Sequence, residues 1–157
     1  MSQQIITDHN IEALKVAASW PGADRATLVT LATVLAATGA DHDGLTYFEA
    51  LAARQPDQVL PLTLAGYFQV RAGEDIPAGL AKLDDAASKD LGPAQYYRGL
   101  ALAALPAEAG HAQQAVADLE FVLAVRDQFP SNMIRAAYHG LTGLRPSPTR
   151  RAGDWLM

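Results

Sequence analysis

The sequence contains no cysteine, few basic residues and no long apolar run, and each of these absences excludes a class of protein. Without cysteine there are no disulfides, no thiolate metal ligands and no thiol nucleophiles. The longest uncharged apolar stretch, Ala26 to Ala40, has 15 residues, whereas a membrane-spanning helix needs roughly 20. We expect a buried helix there and, because no signal peptide is evident, a cytoplasmic location.

Basic residues are scarce in the main body of the chain, and this argues against nucleic acid as a partner. Residues 1–134 hold 8 basic and 16 acidic side chains, whereas residues 135–157 hold four arginines and a single acid, Asp154. An acidic surface repels a phosphate backbone, which is bound mainly through clustered lysine and arginine. We expect no nucleic-acid partner, and we interpret residues 144–157 as a basic, flexible tail without an assigned role.

Glycine, proline and aspartate divide the chain into segments of helical length, and no segment shows the alternation typical of a strand. Half of the residues are hydrophobic, so the chain can bury enough apolar surface to fold. Asp24, Asp75 and Ser131 stand where helices would begin, as capping residues do. The predicted helices cover residues 8–19, 24–38, 43–55, 59–72, 77–89, 94–105, 111–127 and 132–143.

A repeat of 33 to 36 residues runs through these segments. The pair Leu31-Ala32 recurs as Leu64-Ala65 and as Leu100-Ala101, and Leu35, Phe68 and Ala104 follow each leucine by four positions. In the alternate helices, a small residue is followed four positions later by a large one. These pairs are Gly44 with Phe48, Gly79 with Leu83, and Ala115 with Leu119. A small residue lets two helices cross closely while the large one fills the groove beside it, so the repeat predicts stacked helix pairs.

This pattern resembles the tetratricopeptide repeat, a helix-turn-helix unit of 34 residues. The first unit matches best, since it carries signature residues at Leu28, Leu31, Ala32, Leu35, Gly39, Gly44, Phe48 and Pro56. The second and third units depart by longer turns near Gly73 to Pro77 and Pro106 to Gly110. The resemblance implies an all-α fold, a right-handed superhelical array of antiparallel helix pairs with about three repeats and terminal capping helices. It also implies a capping helix in residues 1–23 and a repeat domain in residues 24–143.

The resemblance further implies a concave groove lined by the first helix of each pair, where members of the family receive protein or peptide ligands. Arg135 would pair with a carboxylate and Tyr138 would supply contact area, although packing is the alternative for the tyrosines. In this register the groove residues are Val29, Thr33, Gly66, Gln69, Arg98, Leu102, Arg135 and Tyr138.

No motif for catalysis or metal binding is found in the sequence. The histidines, His9, His42, His111 and His139, lack a second ligand at the spacing of four that helical zinc sites use. Asp41-His42-Asp43 is interpreted as a helix cap, and Asp84-Asp85 as solvated because neighbours on a helix diverge. We therefore expect no cofactor and no metal.

These observations favour an adaptor or scaffold that binds a protein or peptide in a concave groove and has no catalysis of its own. Two alternatives stay open. The chain could be a structural protein that self-associates, with a homodimer as one form, through helix faces left unpaired at either end. It could also be an accessory segment of an enzyme system.

Overall fold

The fold is all-α, as the sequence predicts. A computed structural model describes residues 2–90, 92–106 and 110–144; within them the chain forms α-helices, one short 3-10 turn at Arg126–Gln128, and no strand. The helices are α1 (Ser2–Ala18), α2 (Arg25–Ala37), α3 (Asp41–Arg54), α4 (Val59–Ala72), α5 (Ile76–Lys89), α6 (Pro93–Ala103), α7 (Ala112–Ala124) and α8 (Ser131–Leu144).

Most predicted helix boundaries agree with these to within two residues. The exceptions are α1, which begins six residues earlier than predicted, and α7, which ends at Ala124 and is followed by the 3-10 turn. The cap at Asp24 is confirmed, because its Oδ1 accepts from the Thr27 backbone N–H at 3.0 Å and from the Thr27 hydroxyl at 2.9 Å. Both hydrogen bonds lower the pKa of Asp24, and the one from the backbone N–H has the larger effect.

The chain divides into two compact units, one ending at Lys89 and one beginning at Asp90. The first contains α1 to α5 and the second α6 to α8, so the division falls between the second and third predicted repeats. The superhelical array and the boundaries predicted at residues 23 and 143 stay predictions. The predicted basic tail lies, apart from Leu144, outside the described residues.

The core of the first unit consists of the large residues that the repeat pattern marks. In this unit α1 packs on α2, α3 on α4, and α4 on α5. The Phe48 and Phe68 rings stack with their centroids 5.8 Å apart, and a Cβ added at Gly44 would lie 2.7 Å from the Phe68 ring. Seven large side chains have no exposed surface: Leu31, Leu35, Phe48, Leu51, Leu64, Phe68 and Leu83.

Two glycines set the crossing of α4 and α5. A Cβ on Gly66 would lie 2.8 Å from the Gly79 carbonyl oxygen, and a Cβ on Gly79 would lie 3.1 Å from the Gly66 carbonyl oxygen. Backbone therefore faces backbone at this point, and no side chain fits between the two helices. The sequence pattern identifies Gly79 as a close-contact position, but it assigns Gly66 to the predicted groove.

In the second unit, α7 packs against both α6 and α8, and α6 also contacts α8. Leu119 of α7 is fully buried at the centre. A Cβ on Gly99 of α6 would lie 2.7 Å from the Leu119 side chain, and one on Gly140 of α8 would lie 2.9 Å from it. The repeat pattern is only partly confirmed in α6, since Ala101 is buried but Leu100 is half-buried. Ala104 is exposed because α6 ends there.

The start of α3 agrees with the prediction only in part. Of the segment Asp41-His42-Asp43, the two aspartates lie in the first turn, where negative charge favours the helix dipole, but the N-cap is Ala40, which has no side-chain capping hydrogen bond. Each of the three side chains reaches another part of the first unit, because α3 begins beside the end of α4 and beside α1. Asp41 accepts from Arg71 Nε at 2.8 Å, Asp43 accepts from Lys15 Nζ at 2.8 Å, and His42 Nδ1 lies 3.0 Å from Glu74 Oε1.

Candidate binding surface

Three of the predicted groove residues are exposed, Thr33, Arg135 and Tyr138, and two of them lie on α8. This helix buries Met133, Ala137 and Leu141 against the rest of the second unit. The opposite face carries Arg135, Tyr138, His139 and Thr142 at the spacing that places side chains on one side of a helix, and all four are exposed. We call these four residues the α8 outer face.

Tyr138 is the main apolar feature of the α8 outer face, with 51% of its surface exposed. Large aromatic side chains left in solvent are common at binding surfaces, because one ring supplies a large contact area at a small entropic cost. The Tyr138 backbone carbonyl accepts a hydrogen bond from the Thr142 hydroxyl at 2.9 Å. The pattern of the sequence did not decide between packing and exposure for this tyrosine, and the structure places it in solvent.

Charge on α8 is of one sign only. The helix contains Arg135 and no lysine, aspartate or glutamate, in a chain whose net charge is −5. Within the part of the chain that the structure describes, no ion pair holds Arg135. Its guanidinium is therefore available to a carboxylate, which it can bind through two parallel hydrogen bonds.

Arg98, also predicted to line the groove, is held by a carboxylate of its own unit. Its Nε donates to Asp118 Oδ2 and its Nη2 to Asp118 Oδ1, both at 2.8 Å. Gln114 Nε2 donates to Asp118 Oδ1 at 3.1 Å. Asp118 has no exposed surface, so the pair joins α6 to α7 inside the unit. Arg98 is therefore engaged within the second unit and does not belong to the α8 outer face.

Sequence reasoning overlooked Asp118, although the signal was present. Residues 115, 118, 119 and 122 form the buried face of α7, and three of them are apolar. An acidic residue at a core position needs a cationic partner, because a buried charge without one is strongly unfavourable. Arg98, on the preceding helix, is the residue that meets this need.

The other predicted positions are enclosed or already engaged. Gly66 faces the backbone of α5, and Gln69 Oε1 accepts from Lys82 Nζ at 2.6 Å. Leu102 is buried and Val29 is half-buried. Thr33 is exposed, but its hydroxyl donates to the Val29 carbonyl at 2.8 Å. The structure thus brings Arg135 and Tyr138 together in solvent. The single groove that joins all eight residues stays a prediction.

The ion pair between Arg71 and Asp41 in the first unit joins helices to one another. Arg71 Nη2 donates to the Ala36 carbonyl at the end of α2, at 3.2 Å, while its Nε is bound to Asp41. Burial disfavours the charged guanidinium, but the hydrogen bond that Arg71 donates to Asp41 and the contact with Tyr67 outweigh this effect and raise the pKa of Arg71. Arg71 therefore joins three helices, α2, α3 and α4, and offers no open ligand site.

No family model, curated protein or solved structure matches this chain. The tetratricopeptide resemblance therefore stays a prediction from the residues alone. Across residues 2–90, 92–106 and 110–144, no three histidine, aspartate or glutamate side chains are grouped so as to hold a metal ion. In the same ranges no helix combines the length and the apolar character needed to cross a membrane.

Proposed function

We propose that this chain is a protein-binding module and that its α8 outer face takes a peptide segment carrying an acidic residue beside an apolar one. The observation that supports it is the pairing of Arg135 and Tyr138, one helical turn apart, both exposed. The guanidinium would bind the acidic residue, and the tyrosine ring would cover the apolar one.

The charge of the surrounding chain supports the choice of an acidic ligand. Residues 1–134 are strongly acidic, so they repel an acidic peptide from most of the surface. The α8 helix has no acidic residue to oppose such a peptide. An acidic peptide on α8 would therefore be attracted by Arg135 and would not be repelled by any carboxylate of that helix.

Selection from a random library of short peptides tests this proposal. The full chain should enrich peptides that carry aspartate or glutamate next to an aromatic or aliphatic residue. Arg135→Glu should reverse the charge preference toward lysine and arginine, and Tyr138→Ala should remove the apolar preference. A single exposed anchor is worth about 1–2 kcal/mol, so each change should weaken an enriched peptide roughly 5- to 30-fold.

The matched control is Arg54→Glu, which makes the same change of charge on an exposed residue of α3, in the first unit. It should leave the peptide preference unchanged. If Arg54→Glu and Arg135→Glu alter the selection equally, net charge rather than the α8 outer face governs binding, and the proposed surface is wrong.

A further inference from the structure

The outer side of α1 carries an apolar stripe that no part of the described chain covers. It consists of Ala13, Val16, Ala17 and Trp20, all exposed, and we call it the α1 stripe. Val16 has 61% and Trp20 has 66% of its surface in solvent. Trp20 lies just beyond the helix, where its N–H still bonds to the Ala17 carbonyl at 3.4 Å, so it continues the same side.

A capping helix is expected to have a polar outer side, whereas the outer side of α1 is apolar along this stripe. The inner side of α1 is already used, since Ile11 and Ala18 are buried and the Tyr47 hydroxyl donates to the Lys15 carbonyl at 2.7 Å. The end of a stacked helical structure normally presents polar residues to solvent. Two large apolar side chains in that position indicate a surface that another molecule covers.

The order of large and small residues along the stripe, Ala13, Val16, Ala17 and Trp20, is complementary to itself when one copy is reversed. We infer that α1 packs antiparallel against α1 of another copy, about a two-fold axis that passes between Val16 and Ala17. In this arrangement residue 13 lies opposite residue 20 of the partner and residue 16 lies opposite residue 17. Trp20 therefore meets Ala13, and Val16 meets Ala17, so each larger side chain fits against an alanine.

Charge does not oppose this contact, although the chain is acidic. The only charged side chain from Ala13 to Ala23 is Lys15, and its Nζ is held by both carboxylate oxygens of Asp43 at 2.8 Å. Glu12 borders the stripe, but the two copies of Glu12 would be about 13 Å apart along the helix axes at 1.5 Å per residue. That separation exceeds the screening length of about 8 Å at physiological salt.

The size of the stripe indicates a weak dimer. Two large side chains and two alanines cover on the order of 300 Å² per copy, whereas a stable interface takes about 800 Å² from each partner. We expect rapid exchange, with the dimer forming in the micromolar to millimolar range of protein concentration.

Cysteine crosslinking of the full chain tests the arrangement, because the natural sequence has no cysteine. Ala17→Cys places the two sulfurs next to the axis, within the reach of a disulfide. Ala13→Cys places its Cα atoms about 10 Å apart along the axis, beyond the limit of about 7 Å. Under mild oxidation A17C should give roughly tenfold more covalent dimer than A13C.

Ala81→Cys, on an exposed position of α5, measures random collision. The inference fails if A17C forms no more dimer than A81C, and also if A13C crosslinks as well as A17C, since that result indicates parallel helices. Sedimentation of the cysteine-free chain gives a second measurement. Its average mass should rise with concentration, and Val16→Glu should abolish the rise. A strictly monomeric natural chain at all concentrations overturns the inference.

Discussion

At the residue scale, Asp118 is a fully buried carboxylate on a helix face that is otherwise apolar. Two hydrogen bonds from Arg98 and one from Gln114 compensate it. Such a pair can contribute little net stability, because removing two charges from water costs about as much as their attraction returns. Its effect is to fix the position of α6 against α7.

A double-mutant cycle separates these contributions. Arg98→Met leaves Asp118 buried without a cation, and we expect a loss of about 3–5 kcal/mol in the free energy of unfolding. Asp118→Leu should cost less, because Arg98 keeps 15% of its side chain in solvent and can turn toward water. The double variant should lie within roughly 1–2 kcal/mol of the natural chain.

Urea denaturation followed by circular dichroism measures all four proteins of the cycle. Additive losses from the two single substitutions would contradict the account, since they would mean that the two groups do not interact. Arg98 and Asp118 are 20 residues apart in the sequence. Local sequence preferences, which act over a few residues, therefore do not determine this contact.

At the element scale, glycine determines how closely the helices of the first unit approach. Gly66→Ala places a methyl group against the Gly79 backbone at 2.8 Å. Alanine favours a helix over glycine by about 1 kcal/mol, but forced separation of two packed helices costs about 1–3 kcal/mol. We expect a net destabilisation, seen as a lower midpoint of urea denaturation.

Gly143→Ala is the matched control. This glycine is also helical, and a Cβ there would meet nothing within 4 Å. The same substitution should therefore stabilise the chain by about 0.5–1 kcal/mol. Equal effects at the two positions would show that helix propensity, rather than the crossing of α4 and α5, decides the result.

At the scale of the whole molecule, the two compact units differ in the size of their buried side chains. The first buries Phe48, Phe68, Ala86 and five leucines completely, whereas the fully buried apolar residues of the second are Ala101, Ala115, Leu119, Val122 and Ala137. Burial stabilises in proportion to the apolar area removed from water. A unit can fold alone when it has its own hydrophobic core.

We therefore expect residues 1–89, produced alone, to unfold in a cooperative transition and to be more stable than residues 90–157. Thermal unfolding followed by circular dichroism compares the two fragments. A gradual loss of helix in residues 1–89, without a transition, would contradict the division. A higher midpoint for residues 90–157 would contradict the argument from buried area.

The sequence by itself determined the helices, the turns and most of the core. Boundaries such as those of α4 and α5 follow from capping residues, proline, glycine and the spacing of apolar side chains, and these act over four residues or fewer. The buried face of each helix is largely set by the same spacing, and for that reason Phe48, Leu83 and Leu119 could be identified as core residues in advance.

Only the tertiary structure decided which of the remaining residues face solvent and which have partners. Arg98 and Gln69 were expected at an open surface, but helix crossings place Asp118 and Lys82 within hydrogen-bonding distance of them. The α1 stripe and the α8 outer face depend on which helix sides the neighbouring helices leave uncovered. The contacts of Gln69 and Arg98 join residues 13 and 20 positions apart. The packing of whole helices, which local preferences do not determine, brings these residues together.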